Sequence, residues 1–268
     1  MSTNPQRQSI RLVSLDFDGT IMCYDEASGF FHPDAIRTLN ALESLGVMWC
    51  TNSGRDVEDQ LRVLDSSFRR GLRYRPVGLL CSESLVYERA NGTYAPAEPW
   101  NSEAYAGMKS LQKAVQARLL PVADALAAKY AKCSHFSGDY FTAFAVENRD
   151  NFPSRLQAEI EAVVGDIPNC RISRNGGWVA VVHARLGKGA ILGEFGRRIG
   201  IPPSSILAVG DHLNDLDMLD GRAAACVGCP GDAADEVVQM VRSVGGRVAV
   251  ASGPIGTVEV IRHYINVR

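Results

Sequence analysis

The stretch RLVSLDFDGTIM, Arg11 to Met22, ends an apolar run with two carboxylates, Asp16 and Asp18, and then a glycine. Leu12, Val13 and Leu15 predict a strand buried on both faces, and the following Asp-Gly-Thr predicts a turn. If the chain stays extended, alternation sends Asp16 and Asp18 to the same side and Phe17 away from them. Two like charges this close need a cation, a shared proton or open water. A polar turn that merely closes a strand has the same composition.

Three further polar clusters fall at predicted strand ends or helix starts. TNSGR sets Thr51, Asn52 and Ser53 ahead of Gly54 and Arg55. Hydroxyls and N–H groups at a helix N-terminus can hold an anion, because that end is partially positive; an ordinary helix cap uses the same residues. In LGKGA, Lys188 stands between two glycines that would let a backbone or ligand approach, or it is a solvated surface lysine. VGDHLNDLDML ends a strand at Gly210 and Asp211 and opens a helix near Asn214 and Asp215. Several hard oxygen donors at such an edge suit Mg2+, which keeps waters and bridges to substrate phosphate. A solvated acidic helix start is the alternative.

The elements that must position these residues follow from hydrophobic periodicity. HPDAIRTLNALESLG carries Ile36, Leu39, Leu42 and Leu45 at helical spacing and stops at Gly46. VMWCTN then reads as a second strand, DVEDQLRVLDSSF as a second helix and VGLLCSE as a third strand. Alternating strands and helices predict a parallel sheet with right-handed crossovers, whose ligand crevice lies beyond the carboxyl ends of the strands. All four clusters could converge there. The pattern resumes in GAILGEFGRRIG, SSILAVGD, AAACVGC, RVAVA and GTVEVIRHYI.

Between these halves, residues 85–184 read as an inserted α+β unit, leaving 1–84 and 185–268 as the α/β core. The insertion should contain a hairpin at Asn91-Gly92, a long helix from about Ser102 to Ala131 that Pro121 kinks or splits, and strands in YFTAFAVE, CRISR and WVAVVHA around the helix SRLQAEIEAVVG.

At 268 residues with 46% hydrophobic side chains, the chain can bury a core and has the size of two domains or one elaborated domain. A net charge of −2 offers no general attraction for nucleic acid or an anionic membrane. The polar start MSTNPQRQS and the lack of any run of spanning length predict a cytoplasmic protein. Seven cysteines in mostly apolar surroundings suit reduced thiols, and CVGC at 226–229 lacks the second pair of ligands that structural zinc needs.

DFDGT, TNSGR, GKGA and GDHLND, in this order, resemble the four motifs of the haloacid dehalogenase (HAD) superfamily. The insertion between the second and third resembles the C2B cap of its subfamily IIB, which includes Cof-type hydrolases, sucrose-phosphate phosphatase and eukaryotic-type phosphomannomutase. The resemblance covers the chain after its first ten residues and implies a Rossmannoid core under an inserted cap. Two stretches depart from it. CSESLV stands where many Cof-type relatives read Asn-Gly-Ala, and VGCP replaces a common Val-Gly-Asn-Ala, which bears on substrate contacts and leaves the catalytic set intact.

The resemblance implies that Asp16 is a nucleophile forming an aspartyl-phosphate and that Asp18 is the acid that protonates the leaving alkoxide, then the base that activates water. It also implies Mg2+ held by the Asp16 and Asp211 carboxylates and the Asp18 carbonyl, with Asn214 and Asp215 acting through water or as orienting groups. Ser53 would donate to a phosphoryl oxygen with Asn52 and Gly54 beside it, Lys188 would pair with Asp16 and the phosphate, and Arg55 would meet substrate. Glu147, Arg149, Asn175, His183 and Arg185 are candidate cap contacts, whereas Trp178 reads as cap core. The expected activity is Mg2+-dependent hydrolysis of a small phosphorylated metabolite, such as a sugar phosphate, by a monomer or weak dimer without nucleic-acid or membrane partners. A phosphomutase and a catalytically silent sugar-phosphate-binding regulator are the rival expectations.

Overall fold

The structure, a computed structural model, describes residues 9–25 and 29–267; the polar start, on which the expectation about a leader rests, lies outside them apart from its last residue. Strand β1 (Leu12–Leu15) is buried at every position, as its apolar run predicts. The chain continues through β2 (Met22–Tyr24), β3 (Gly29–Phe31), α1 (Pro33–Ser44), β4 (Met48–Asn52), α2 (Val57–Arg69), β5 (Gly78–Cys81), β6 (Leu85–Ala90) and β7 (Thr93–Pro96). Helix α1 buries Ile36, Leu39 and Leu42 but leaves Leu45 exposed, because the helix has already ended ahead of left-handed Gly46. Next come α3 (Trp100–Ala127), β8 (Ser134–Gly138), β9 (Phe141–Ala145), α4 (Phe152–Val164), β10 (Cys170–Asn175) and β11 (Trp178–His183). The last stretch holds α5 (Lys188–Arg198), β12 (Ile206–Val209), β13 (Cys226–Cys229), α6 (Asp235–Ser243), β14 (Arg247–Val248) and α7 (Gly253–Tyr264).

The chain divides into two compact units, one running to Ala97 and resuming at Lys188, the other spanning Glu98–Gly187. In the first, eight strands lie in the order β14-β13-β12-β1-β4-β5-β6-β7. Strands β14 to β5 run parallel, and β6 and β7 are added antiparallel. Central β1 lies between two neighbours, with Leu15 opposite both Val209 and Thr51. The register brings the carboxyl ends of β1, β4 and β12 to one edge.

The Asn91-Gly92 hairpin forms, with both residues left-handed, but in this sheet and not in the insertion. Val86 pairs with Leu80 and is fully buried, so the sheet's hydrogen bonding extends past residue 85 and the change of unit falls at Ala97.

The second unit has an antiparallel sheet in the order β10-β11-β9-β8. Leu111, Val115, Leu119, Phe144, Leu156, Ile160, Val179 and Val181 form its core with α3 and α4. Pro121 does not split α3: it removes one N–H donor, while Leu119, Ala123 and Leu126 keep both flanking turns buried. Cys226 and Cys229 are free, as are the other five cysteines. Among the described residues, no helix is long and apolar enough to cross a membrane.

Candidate active site

The site belongs to the first unit and begins where β1 ends. The Asp16 N–H still donates to the Val209 carbonyl at 3.0 Å, so this residue is fixed at the sheet's edge. The chain then turns, with the N–H groups of Thr20, Ile21 and Met22 all donating to the Phe17 carbonyl. It does not stay extended through Asp18, and the two aspartates acquire different surroundings. The Asp16 side chain is 7% exposed and that of Asp18 is 44% exposed. Gly19 makes the turn possible at φ +76°, and a Cβ there would stand 2.2 Å from Asp211 Oδ2.

Lys188 is the first residue of α5 and is 1% exposed, which removes the solvated-lysine reading. Its Nζ donates to Asp16 Oδ1 at 2.5 Å and to Asp215 Oδ1 at 2.5 Å. Burial opposes the ammonium's charge, but Asp16, Asp215 and Glu83 outweigh it and hold Lys188 well above the usual lysine range. Gly189 lets the helix start approach: a Cβ there would meet the Asp217 carbonyl at 2.1 Å.

Asp211 and Asp215 follow β12 around a single 3-10 turn, Leu213–Asp215, in place of the expected helix. Fully buried Asp215 uses its second oxygen, Oδ2, to accept the N–H groups of Asp211 and His212, each at 2.9 Å. Thr20 Oγ1 donates to Asp211 Oδ1 at 2.8 Å. Burial pushes the Asp211 carboxyl up to about 6, with the Asp215 charge adding to it. Asp16 is likewise raised, by burial first, against the lowering effect of Lys188.

One ligand oxygen from each of Asp16, Asp211 and Asp215 lies within 4.8 Å of the others. Three carboxylates against one ammonium leave excess negative charge, which adds to burial in raising the Asp16 and Asp211 carboxyls. Such a set fits a hard divalent cation such as Mg2+.

The loop after β4 is not the helix cap its composition allows, because Asp56 caps α2 by accepting the Asp59 N–H at 2.8 Å. Asn52 is fully buried and donates from Nδ2 to the Lys188 carbonyl at 3.0 Å, tying β4 to the start of α5. The Ser53 N–H continues the β5 ladder by donating to Leu80 O at 3.0 Å, while its Oγ accepts the Arg55 N–H at 3.3 Å. Arg55 reaches Asp18 with two hydrogen bonds. Beneath the loop, buried Gln60 accepts from Thr51 Oγ1 and donates to the carbonyls of Leu80 and Arg55.

Motif reading missed two residues that hold the loops of the site, Gln60 and Glu83. Gln60 is a polar residue on the apolar face of α2, the one signal that could have marked it. Glu83 lies within CSESLV, the stretch that departs from the Cof-type pattern, and accepts from Asn214 Nδ2 at 2.8 Å.

The candidate cap residues lie in the second unit. Glu147 pairs with Arg149 at 2.8 Å. Asn175 and His183 end β10 and β11, and the Arg185 N–H donates to His183 Nδ1 at 3.3 Å. Burial and then Arg185 lower His183 below its usual value. Trp178 is not core: it is 42% exposed and stacks on Phe136, ring centroids 5.6 Å apart, because β-strand alternation sends buried Val179 and Val181 inward and Trp178 outward.

A family model described as haloacid dehalogenase-like hydrolase matches residues 128–252. Among the curated proteins, no relative matches by sequence. The sucrose-phosphatase of Synechocystis sp. PCC6803, solved with sucrose and phosphate, is similar over 97% of this chain and 98% of its own, at 17% identity and a TM-score of 0.66. The HAD subclass IIB sugar phosphatase BT4131 covers 95% of this chain and 98% of its own, at 16% identity and a TM-score of 0.62. A haloacid dehalogenase-like hydrolase from Bacteroides thetaiotaomicron covers 96% and 100%, at 14% identity and a TM-score of 0.60. At these identities the likeness shows the fold. Within that fold Asp16, Lys188, Asp211 and Asp215 come together at the carboxyl edge of the parallel strands, and the segment that holds the last three of them is the one the haloacid dehalogenase-like hydrolase model matches.

Proposed function

We propose that the protein is a Mg2+-dependent phosphomonoester hydrolase acting on a small, sugar-like phosphate through an aspartyl-phosphate. The observation that carries this reading is the buried Asp16–Lys188–Asp215 array, with bonds of 2.5 Å on either side of the ammonium. Lys188 keeps Asp16 oriented and, in its raised range, charged towards an incoming phosphate. Asp16 would attack phosphorus as the ester oxygen departs, and Asp18 would give that oxygen its proton. Asp18 would then take a proton from the water that hydrolyses the acyl phosphate, returning both carboxylates to their starting states.

When bound, Mg2+ supplies charge neutralisation to attacker and phosphoryl oxygens. The Asp16 and Asp211 carboxylates and the Asp18 carbonyl would hold it. Asp215, with both oxygens engaged, fits an orienting role. Ser53 would donate to a phosphoryl oxygen, beside Gly54. The inserted unit, as a cap, would exclude water and read the leaving group.

The sugar-like substrate draws support from the names of the similar structures, a sucrose-phosphatase and a sugar phosphatase. Seven free cysteines favour the cytoplasm as its setting, and a net charge of −2 favours a small metabolite over nucleic acid as partner. A monomer or weak dimer would suffice, since the core motifs lie within one chain.

The test is phosphate release from a panel of sugar phosphates, nucleotides and small phosphorylated metabolites, with Mg2+ or with EDTA. Wild type should release phosphate only with metal, Asp16→Asn should not release it, and Ser53→Ala should lose roughly a hundredfold. Isomerisation without release would mean a mutase, and tight binding without turnover a regulator.

A further inference from the structure

Ser82 and Glu83, successive non-glycine residues in the turn after β5, both adopt left-handed backbone, at φ +51° and +53°. Such strain persists only where the surroundings over-determine it. They do so here: the Ser82 N–H donates to the Arg55 carbonyl at 3.0 Å and the Glu83 N–H to the Ser53 carbonyl at 3.4 Å. The turn is thus laid along the loop that follows β4, and the Glu83 side chain is carried into the site.

There Glu83 Oε1 meets two parts of the machinery. It accepts from Asn214 Nδ2 at 2.8 Å, and it lies 3.3 Å from where a Cβ on Gly54 would stand. Asn214 Oδ1 is buried and has no hydrogen-bond partner among the described residues. A primary amide has a donor end and an acceptor end, so a carboxylate on the nitrogen decides which way the oxygen points. A buried acceptor left over in this way requires a donor or a cation's water.

We propose that Glu83 is a positioning residue: by holding Asn214 Nδ2, it presents Asn214 Oδ1 to the hydration shell of the divalent cation taken by the neighbouring carboxylates. This rests on the phosphoryl-transfer reading of the site and extends it to a residue outside the four motifs. Partners of this kind orient metal sites elsewhere, and losing one weakens metal affinity or activity by roughly 10–100-fold.

The experiment is calorimetric titration of the full-length protein with Mg2+ alone, alongside metal-free melting. Glu83→Ala and Glu83→Gly should bind Mg2+ roughly tenfold more weakly than wild type. Glu83→Gln keeps an acceptor for Asn214 and should stay within about threefold. Glu83→Gly should melt no lower than wild type, since glycine suits the left-handed backbone, so its weaker binding cannot be ascribed to unfolding. Asn214→Ala should match Glu83→Ala, and the double variant should lose nothing further. Wild-type affinity in Glu83→Ala, a Gln variant as weak as the Ala variant, or additive losses would each overturn the proposal. Phosphate release is assayed in parallel. A wild type that binds Mg2+ but turns over nothing sinks the hydrolase reading, while the titrations still decide the role of Glu83.

Discussion

Arg55 holds Asp18 with both arms of its guanidinium, Nε to Oδ2 at 2.9 Å and Nη2 to Oδ1 at 2.8 Å. Nη2 also reaches the Tyr24 hydroxyl at 3.1 Å, so the fork is itself braced. A bidentate pair fixes the plane of a carboxylate as well as its position. The arginine expected to meet substrate is thus occupied with the proposed acid, and Asp18 must loosen this grip to pass a proton.

Arg55→Lys keeps the charge and loses the fork. We expect kcat/KM to fall roughly tenfold on p-nitrophenyl phosphate, a good leaving group, and roughly a hundredfold on an alkyl phosphate, whose oxygen needs the proton. Steady-state kinetics on the two esters makes the comparison. Equal losses would place Arg55 on the phosphate and not on the acid.

Lys188 separates two buried carboxylates, and Lys188→Met leaves them facing each other. Breaking a buried pair in this way costs about 3–5 kcal/mol. Asp16, already raised by burial, can relieve the repulsion by taking a proton at low pH. The deficit against wild type, measured by urea unfolding in EDTA, should therefore be larger at pH 8 than at pH 5.5. A deficit that does not change with pH would mean that the ammonium is not what holds these carboxylates.

The Asp211 carboxyl stands at about 6, above its unfolded value. The folded protein thus retains this proton longer than the unfolded chain, and the metal-free fold loses stability as pH rises from the ordinary carboxylate range through about 6. Mg2+ has to displace the same proton, so its apparent affinity should fall by up to about tenfold per pH unit below that point. Titration with Mg2+ from pH 5 to 8 checks this, and a flat profile would count against Asp211 as a ligand.

Much of this architecture was legible because buried parallel strands and amphipathic helices write it plainly. Val13 and Leu15, or Ile36, Leu39 and Leu42, have no other reading once the strands end in polar turns. The parts that were not legible depend on partners distant in sequence. β8, SHFSG, has no β-branched residue and becomes a strand by pairing with β9. The hairpin around Asn91 was visible, but not the sheet it would join, since that depends on β5 offering an open edge. Within the site, the motif residues announced themselves by type and spacing. Glu83 did not, because it acts on a residue 131 positions away.

Strand β1 pairs on one side with β4, which follows it closely, and on the other with β12, almost two hundred residues later. During synthesis the open flank of β1 must wait until β12 has been made. The whole inserted unit emerges in that interval, with a core and sheet of its own. An apolar strand with an unpaired edge is an aggregation hazard for as long as it stays open. Slow closure of the central sheet, and not assembly of the insertion, is then the vulnerable step in the biogenesis of this protein, and a chain truncated before β12 would present β1 as a sticky edge.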